Sequence, residues 1–251
     1  ILNSIRSIKQ KYGQKYGDVV LCYDGAASWR RDIFPQYKGN RKKSRDKSTF
    51  DWKQLFNFLS QVREEMKTYM PYKVLHNDKA EADDIIATLA KNRNDSPILV
   101  VSSDTDFIQL QKYKNIEQYS TIMKKWIKSE DPIAFLFEHV LRGDESDGIP
   151  NYLSDSDTFV TDGKRQRTLS GKKVLDLYTK FCKNEDWMKD IESKENYERN
   201  RNLIDFDCIP APLEQEILNM YDTAPVNNRS EMMNYFITYK MKHMMSNISE
   251  F

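Results

Sequence analysis

The chain has 251 residues, 39% of them hydrophobic and 31% charged, with a formal net charge of +1 at pH 7. This length suffices for one large core, or for one domain and a smaller second one. No apolar run reaches the roughly 18 residues of a membrane span, and no secretory signal is present. The three cysteines, Cys22, Cys182 and Cys208, lack C-x-x-C spacing, which argues against a disulfide framework or a zinc site and fits a reducing cytoplasm.

The small net charge hides an uneven distribution along the chain. Residues 1–75 carry a net charge of +9, whereas residues 76–150 carry a net charge of −5. The first third can therefore attract a polyanion, while the middle third holds a surplus of carboxylates. Both features are typical of proteins in which metal ions act on nucleic acid, although solvated charges on unrelated faces explain the distribution equally well.

The first 121 residues alternate predicted strands with predicted helices. Helical periodicity starts at Ile1, and further helices are predicted after Thr49, the expected N-cap, and over residues 80–93. Short strands are predicted at residues 18–24, 72–77, 97–103 and 116–121, and those at 18–24 and 97–103 are nearly all apolar and are expected to be buried. This alternation predicts an α/β fold with a mostly parallel sheet flanked by helices.

A basic segment lies between the first predicted strand and the next helix. Residues 28–53 contain nine Lys and Arg against three Asp, and Pro35 and Gly39 interrupt the segment, so we predict a loop or mobile arch. Basic side chains can follow phosphates, and the interleaved aromatic side chains can stack on unpaired bases. The alternative is a solvated loop whose aromatic residues belong to the core.

From residue 131 onward the pattern becomes helical. Helices are predicted in residues 131–143, 171–182, 213–222 and 230–245. Residues 151–170 are polar and lack a periodic apolar face, so they predict no regular element. The boundary between an α/β part and a helical part is therefore predicted near residue 150.

Carboxylates cluster where the predicted strands end and the following helices begin. Asp104 and Asp106 follow an apolar strand one residue apart, and open α/β sheets place their sites at such strand ends. Eight carboxylates from four segments are expected on one rim: Asp24, Glu81, Asp83, Asp84, Asp104, Asp106, Asp144 and Asp147. Because like charges repel, the pattern predicts divalent metal ions among them. Two Mg²⁺ ions about 4 Å apart can activate water and stabilise the leaving oxygen of a phosphodiester.

Each of these motifs also has an ordinary structural explanation. A lone D-x-D is commonly a helix N-cap, and the acidic residues at 81–84 suit the N-terminal end of a helix dipole. A haloacid-dehalogenase-like phosphatase would need D-x-D-x-T/V, whereas Ile108 occupies the last position here. The histidines show no ligand spacing and are interpreted as ordinary surface or core residues: His76, His139 and His243.

The motifs together resemble the flap endonuclease / 5′-to-3′ exonuclease superfamily, in which they occur in the same order: VLCYDG, WRRDIFPQYKGNRK, EADDIIATL, VVSSDTDFIQL and LRGDESDGIPN. The later segments NLIDFDCIP and SNISEF are similar to the ribonuclease H of T-even-type bacteriophages. The resemblance implies a monomer with a PIN-like flap-nuclease domain over residues 1–150. It further implies a smaller helical, duplex-binding domain over residues 151–251.

The resemblance implies a metal-dependent 5′–3′ exonuclease and flap endonuclease with ribonuclease H activity. Such an enzyme removes RNA primers and adjacent DNA during phage DNA replication in the host cytoplasm. Its cofactors are two Mg²⁺ ions, for which Mn²⁺ can substitute, and its substrates are RNA–DNA and DNA duplexes with 5′ ends or flaps. A phage single-stranded-DNA-binding protein and a sliding clamp are candidate partners. The alternative is a non-catalytic nucleic-acid-binding relative or a truncated inactive form.

By position, the resemblance assigns roles to individual side chains. It implies a first metal site built by Asp24, Glu81, Asp83, Asp104 and Asp106, and a second, looser site built by Asp84, Asp144 and Asp147. Lys38 and Arg41 match the basic residues that hold the scissile phosphate and are the predicted catalytic residues. Contacts with nucleic acid are predicted for Arg30, Arg31, Lys42, Lys43, Lys164, Arg165, Arg167, Lys172 and Lys173.

The chain departs from the family pattern in two places. Family members begin with a strand that ends in an aspartate, and no such strand precedes Ile1 in this sequence. We expect that strand and one further metal ligand upstream of Ile1, and the alternative is that this segment was lost. Most relatives carry a short Gly-rich hairpin with a potassium site after the last acidic motif. Here a longer polar insert occupies residues 152–169, which makes a potassium site doubtful.

Overall fold

The structure, a computed structural model, describes residues 1–46, 48–93, 95–188 and 190–251. Its strands are β1 (Val20–Tyr23), β2 (Lys73–His76), β3 (Ile98–Val101), β4 (Ile116–Ser120) and β5 (Lys125–Ile127). Its helices are α1 (Leu2–Tyr16), α2 (Arg30–Ile33), α3 (Gly39–Asp46), α4 (Trp52–Tyr69), α5 (Ala82–Asn92), α6 (Pro132–Arg142), α7 (Gly171–Cys182), α8 (Ile191–Ile204), α9 (Ala211–Thr223), α10 (Arg229–Thr238) and α11 (Lys242–Ser246). Three 3₁₀ helices span Thr105–Lys112, Phe206–Cys208 and Ile248–Glu250.

The α/β order of the elements is confirmed, with three corrections. The four predicted strands are present as β1 to β4. However, β1 is half-buried at every position, and β3 has only one buried residue while Val101 is exposed, so the prediction of buried strands is wrong for both. The basic segment contains helices α2 and α3 where a loop was predicted. Strand β5 and helix α8 were not predicted, because β5 has only three residues and α8 buries the polar Ser193 and Asn200 among its apolar residues.

One compact unit consists of Ile1–Ala26, Asp51–Leu99 and Ala211–Phe251. In it β1 and β2 pair in parallel. Helix α4 begins at Asp51, whose side chain accepts a hydrogen bond from the backbone N of Gln54 at 2.9 Å, so the predicted cap at Thr49 is wrong. The core of this unit combines side chains from α1, α4, β2, α10, the turn between α4 and β2, and the last residue: Ile5, Val62, Met66, Met70, Tyr72, Val74, Met232, Tyr235, Phe236 and Phe251.

The second compact unit consists of Ala27–Phe50 and Val100–Pro210. Strands β3, β4 and β5 follow one another in a second sheet, and β4 and β5 pair in antiparallel orientation. Helix α6 packs against α7, α8 and the 3₁₀ helix Thr105–Lys112. The core of this unit buries Phe34, Tyr37, Phe137, Val140, Leu141, Ile149, Tyr152, Val174, Leu177, Tyr197, Leu203 and Ile204.

The polar insert after Pro150 combines apolar packing of Tyr152 with side-chain hydrogen bonds. Asn151 is buried, and its side-chain amide donates to the backbone oxygen of Arg167 at 2.7 Å. Asn200, which is fully buried on α8, donates to the backbone oxygen of Pro150 at 2.8 Å. Because buried polar groups are stable only when they are paired, these bonds hold the insert against α8.

Both compact units combine separated segments of the chain. A division of the functions at residue 150 therefore stays a prediction. In the ranges that the structure describes, no helix is both long and apolar enough to cross a lipid bilayer.

Gly143 is required both by its backbone conformation and by the space around it. Its φ is +69°, and an added Cβ atom would overlap the carbonyl oxygen of Ile149. Gly163 has a similar φ of +79°, but nothing lies within 4 Å of an added Cβ atom. We expect Gly163→Ala to lower the free energy of unfolding by about 1 kcal/mol through its φ alone.

Gly143→Ala also introduces the steric overlap, so it should lower the free energy of unfolding by about 1–3 kcal/mol more than Gly163→Ala does. Urea denaturation followed by circular dichroism measures both variants. Equal losses for the two would contradict the steric argument.

Candidate metal centre

The end of strand β3 presents Asp104 and Asp106. Asp104 caps the 3₁₀ helix Thr105–Lys112, and its Oδ1 accepts a hydrogen bond from the backbone N of Asp106 at 3.0 Å. The buried side chain of Gln118 donates to the backbone oxygens of Ser102 at 3.1 Å and of Asp104 at 2.6 Å. The neighbouring strand β4 therefore fixes the backbone that carries both carboxylates.

A tight loop after α6 presents Asp144 and Asp147. The backbone N and O of Asp144 pair with those of Ile149, at 2.9 and 2.7 Å, which closes the loop. Inside the loop, Oδ1 of Asp144 accepts hydrogen bonds from the backbone N of Ser146 at 2.8 Å and of Asp147 at 3.3 Å. These bonds orient the Asp144 carboxylate before any ligand is present.

His139 lies between Asp106 and Asp144. Its Nδ1 is 3.4 Å from Oδ1 of Asp106, and its Nε2 is 4.0 Å from Oδ2 of Asp144. One ligand atom from each of the three residues lies within 4.8 Å of the others. Burial lowers the pKa of His139, although Asp144 and other nearby carboxylates oppose this shift, so the imidazole is neutral at pH 7. A neutral imidazole is a good metal ligand.

Asp147 is held by three side chains of the basic segment. The hydroxyl of Tyr37 donates to Oδ2 at 2.8 Å, Nζ of Lys38 lies 3.7 Å from the same oxygen, and the Arg41 guanidinium pairs with Oδ1. Burial raises the pKa of Asp147; Lys38 opposes this shift, Asp144 adds to it, and Tyr37 and Arg41 oppose it. The two predicted catalytic cations are thus placed beside a predicted metal ligand.

Hydrogen bonds also connect the basic segment to the backbone of the acidic loop, which is the loop that carries Asp144 and Asp147. The backbone N of Lys38 donates to the backbone oxygen of Asp147 at 2.7 Å, and Lys38 adopts the left-handed φ of +56°. Asn40 donates to the backbone oxygen of Glu145 at 2.6 Å, and Nε of Arg41 donates to that of Ser146 at 3.0 Å. This part of the segment is therefore docked, which corrects the prediction of a mobile arch for these residues.

In the first compact unit, Asp24 lies at the end of β1 and contacts the start of α5. Its Oδ1 accepts a hydrogen bond from the backbone N of Ala82 at 2.8 Å. The next residue must be glycine, because an added Cβ atom at Gly25 would overlap the backbone oxygen of Asn77. The thiol of Cys22 has a pKa raised to about 12 by burial and by the charge of Asp83.

The start of α5 uses two predicted ligands as a capping box. The backbone N of Glu81 donates to Oδ2 of Asp84 at 2.9 Å, and the Glu81 side chain accepts a hydrogen bond in return. Asp84 is fully buried and Glu81 is nearly so. The capping box assigns both residues a structural role. Their predicted role as metal ligands stays a prediction.

The eight predicted ligands fall into two groups. One compact unit contains Asp24, Glu81, Asp83 and Asp84, and the other contains Asp104, Asp106, Asp144 and Asp147. Sequence reasoning missed His139, which joins two members of the second group. The expectation that all eight share one rim stays a prediction. The donor set of the second group fits a divalent metal ion, because it combines carboxylate oxygens with a buried imidazole Nδ1 that makes no hydrogen bond.

The predicted nucleic-acid contacts differ in how accessible their side chains are. Arg30 is 3% exposed and donates to the backbone oxygen of Leu203 at 2.7 Å, which argues against a phosphate contact. Lys164 pairs with Asp155 and Asp157 within the insert, which raises its pKa and neutralises its charge locally. The other exposed candidates are Arg31, Arg165, Arg167, Lys172 and Lys173. The side chains of Lys42 and Lys43 lie outside the described residues.

Comparisons with known proteins place the chain among nucleases. Residues 1–136 match the model of the 5′-3′ exonuclease N-terminal resolvase-like domain, and residues 132–251 match the T4 RNase H C-terminal domain. The chain is 37% identical to ribonuclease H of Enterobacteria phage T4 over 261 residues, which covers 100% of this chain and 85% of the relative. It is also 30% identical over 153 residues to the flap endonuclease Xni of Shewanella woodyi, covering 56% of each protein.

A solved structure with the same fold is that of the bacteriophage T5 flap endonuclease in a pseudo-enzyme–product complex with DNA and metal ions. The TM-score is 0.65 and the sequence identity 19%, over 88% of this chain and 90% of that one. The fold, the carboxylate-rich centre and the family matches define a metal-dependent nuclease with a PIN-like domain. Within this class, the chain belongs to the 5′-3′ exonuclease family, in the branch of the phage T4 ribonuclease H.

Two substitutions of Asp84 separate its capping role from a role in metal binding. Asp84→Asn keeps an oxygen that can accept the bond from the backbone N of Glu81, so the free energy of unfolding should fall by less than about 1 kcal/mol. Asp84→Ala leaves that N–H without its partner and should cost about 1–2 kcal/mol more. Thermal and urea denaturation measure both. A capping role is excluded if the two variants are equally stable.

Proposed function

We propose that the chain is a Mg²⁺-dependent 5′–3′ exonuclease and flap endonuclease with ribonuclease H activity, acting on RNA–DNA and DNA duplexes that carry 5′ ends or flaps. Its role would be the removal of RNA primers and adjacent DNA during phage replication. The observation that carries this proposal is the second group of ligands, in which Asp106 and Asp144 flank a neutral His139 while Lys38 and Arg41 stand beside Asp147.

The residues of this group would hold a divalent metal ion. When bound, such an ion lowers the pKa of a water molecule and stabilises the negative charge of the phosphodiester transition state. The carboxylates need transfer no proton themselves, because their task is to place the ion. The hydrogen bonds that fix Asp104 and Asp144 prepare this placement in advance.

Lys38 and Arg41 would bind the scissile phosphate. In the structure Asp147 holds both cations close together, so a phosphate oxygen would share or replace that carboxylate as their partner. Two fixed cations beside a carboxylate-bound metal ion favour a dianionic transition state over the singly charged substrate. The pairing with Asp147 holds the side chains of Lys38 and Arg41 in position before the substrate binds. Binding therefore does not have to order these side chains.

The exposed cations of the insert and of α7 would bind duplex backbone at a distance from the chemistry. Lys172 and Lys173 lie in the first turn of α7, and Arg165 and Arg167 lie in the preceding insert. Such contacts supply affinity that depends on salt but not on sequence. Contacts with a single-stranded-DNA-binding protein or a sliding clamp, and the monomeric state, stay predictions.

The proposal is tested by the release of short nucleotides from a 5′-labelled RNA–DNA duplex and from a 5′-flap DNA. The double variant Asp104→Asn/Asp106→Asn should cleave at least about 1000-fold more slowly, because a metal ion supplies several kcal/mol of transition-state stabilisation. Binding of the duplex in Ca²⁺ should persist. The matched control is Glu185→Gln/Asp186→Asn, which removes two exposed charges in the same unit.

Cleavage by the Asp104/Asp106 variant at the rate of the unmodified chain would refute the assignment of these ligands. Absence of cleavage by the unmodified chain in both Mg²⁺ and Mn²⁺, with intact duplex binding, would favour the non-catalytic alternative.

Cations with different roles should respond differently to truncation. Lys38→Ala/Arg41→Ala should lower the single-turnover rate by about 100-fold or more while changing the duplex Kd less than about 3-fold. Lys172→Ala/Lys173→Ala should instead weaken binding and reduce the salt dependence of log Kd by about 1 per cation, with little change in the single-turnover rate. Rapid-quench kinetics and fluorescence anisotropy separate the two effects. A loss of affinity alone in the Lys38/Arg41 variant would reassign that pair to docking.

A further inference from the structure

We propose that His139 is itself a metal ligand, so that the centre formed with Asp106 and Asp144 is a mixed nitrogen–oxygen site with raised selectivity for Mn²⁺ over Mg²⁺. The inference rests on the proposed function, because it adds a ligand and a metal preference to the same centre. Carboxylate-only sites suit Mg²⁺, Ca²⁺ and Mn²⁺ alike, whereas an imidazole nitrogen favours transition-metal ions.

The first support is the state of the imidazole nitrogens. A neutral imidazole carries its proton on one nitrogen and a lone pair on the other. Nδ1 of His139 is buried and makes no hydrogen bond, although Oδ1 of Asp106 is only 3.4 Å away. A proton or a metal ion between a ring nitrogen and a carboxylate oxygen stabilises such a close approach, and the angle for a hydrogen bond is not formed here.

The second support is the spacing of the donor atoms. Two ligands of one divalent ion, with bonds of about 2.1 Å, lie about 3.0 Å apart when adjacent and about 4.2 Å apart when opposite. Nδ1 of His139 is 3.4 Å from Oδ1 of Asp106, which falls within that interval. One ligand atom from each of Asp106, His139 and Asp144 lies within 4.8 Å of the other two, so the three residues converge on one place.

The third support is the rigidity of the imidazole. His139 lies on α6, which packs against the 3₁₀ helix that carries Asp106. The ring of Phe135, one helical turn earlier, contacts the imidazole edge to face with centroids 5.8 Å apart. Asp144 follows the same helix after Gly143 and is fixed by its own loop. A preorganised ligand loses little conformational freedom when an ion binds.

A simple structural role explains fewer of these facts. A buried histidine that served packing or charge balance would donate a hydrogen bond from Nδ1 to the adjacent carboxylate. Here that bond is not made. The structure therefore leaves Nδ1 facing a carboxylate oxygen without a hydrogen bond between them, and a cation bound to both atoms would stabilise this arrangement.

The test loads the full chain with Mn²⁺ and records electron spin-echo envelope modulation, in which a coordinated imidazole produces a ¹⁴N modulation. We expect this modulation in the unmodified chain and its loss in His139→Asn, which keeps the size and offers an oxygen. By isothermal titration calorimetry, His139→Asn should weaken Mn²⁺ binding by about 10-fold or more and Mg²⁺ binding by less than about 3-fold.

The chain contains three histidines, so two controls assign the nitrogen. The double variant His76→Gln/His243→Gln keeps only His139 and should retain the modulation. It also decides the question if His139→Asn fails to fold, since loss of the modulation in this double variant would overturn the proposal. His243 contacts Arg6 in the first compact unit and is not part of the centre.

The outcomes separate this inference from the proposed function. Tight Mn²⁺ binding without ¹⁴N modulation overturns the role of His139 and leaves the carboxylate centre intact. If His139→Asn weakens the binding of Mn²⁺ and of Mg²⁺ equally, the proposed selectivity for Mn²⁺ is also overturned. Failure of the unmodified chain to bind either ion overturns the metal centre itself, and with it the proposed function.

Discussion

The carboxylate of Asp147 joins the basic segment to the acidic loop, and the arrangement of the second unit's centre depends on it. Removing a carboxylate from water costs several kcal/mol unless other groups compensate for the loss of hydration. Tyr37, Lys38 and Arg41 provide that compensation, and Lys38 accepts a left-handed backbone to do so. One interaction therefore positions a predicted metal ligand and both predicted phosphate-binding cations together.

The same constraint explains how the carboxylates of this unit coexist. Asp144 and Asp147 are only three residues apart, yet each has its own means of stabilisation. Asp144 accepts two backbone hydrogen bonds within its loop, whereas Asp147 is paired with cations. A neutral His139 separates Asp144 from Asp106 without adding charge. The like charges thus stay close together in the folded chain, which is the condition for binding a highly charged ion.

The sequence predicts features that depend on residues close together in the chain. It does not predict contacts between residues that are far apart in the chain. The sequence predicts strands at β1 to β4, and acidic motifs at strand ends and helix starts predict candidate ligands, because these are local features. His139 is 33 residues from Asp106 in the chain, so no spacing rule connects the two. Arg30 lies in a basic motif, yet its guanidinium bonds to Leu203, 173 residues away. Helix α8 escaped prediction because its buried face includes Asn200, which supports the insert.

An acidic motif can be explained by helix capping or by metal binding. In the folded chain the same aspartate can serve both roles. Asp24, Asp104 and Asp144 each accept a backbone hydrogen bond through Oδ1. Such a bond uses one oxygen and fixes the direction of the other, as in Asp144, whose Oδ2 faces His139. A carboxylate fixed in this way loses less side-chain entropy when an ion binds than a freely rotating one would. The backbone bonds that are typical of ordinary caps would therefore also prepare these residues for their predicted role as ligands.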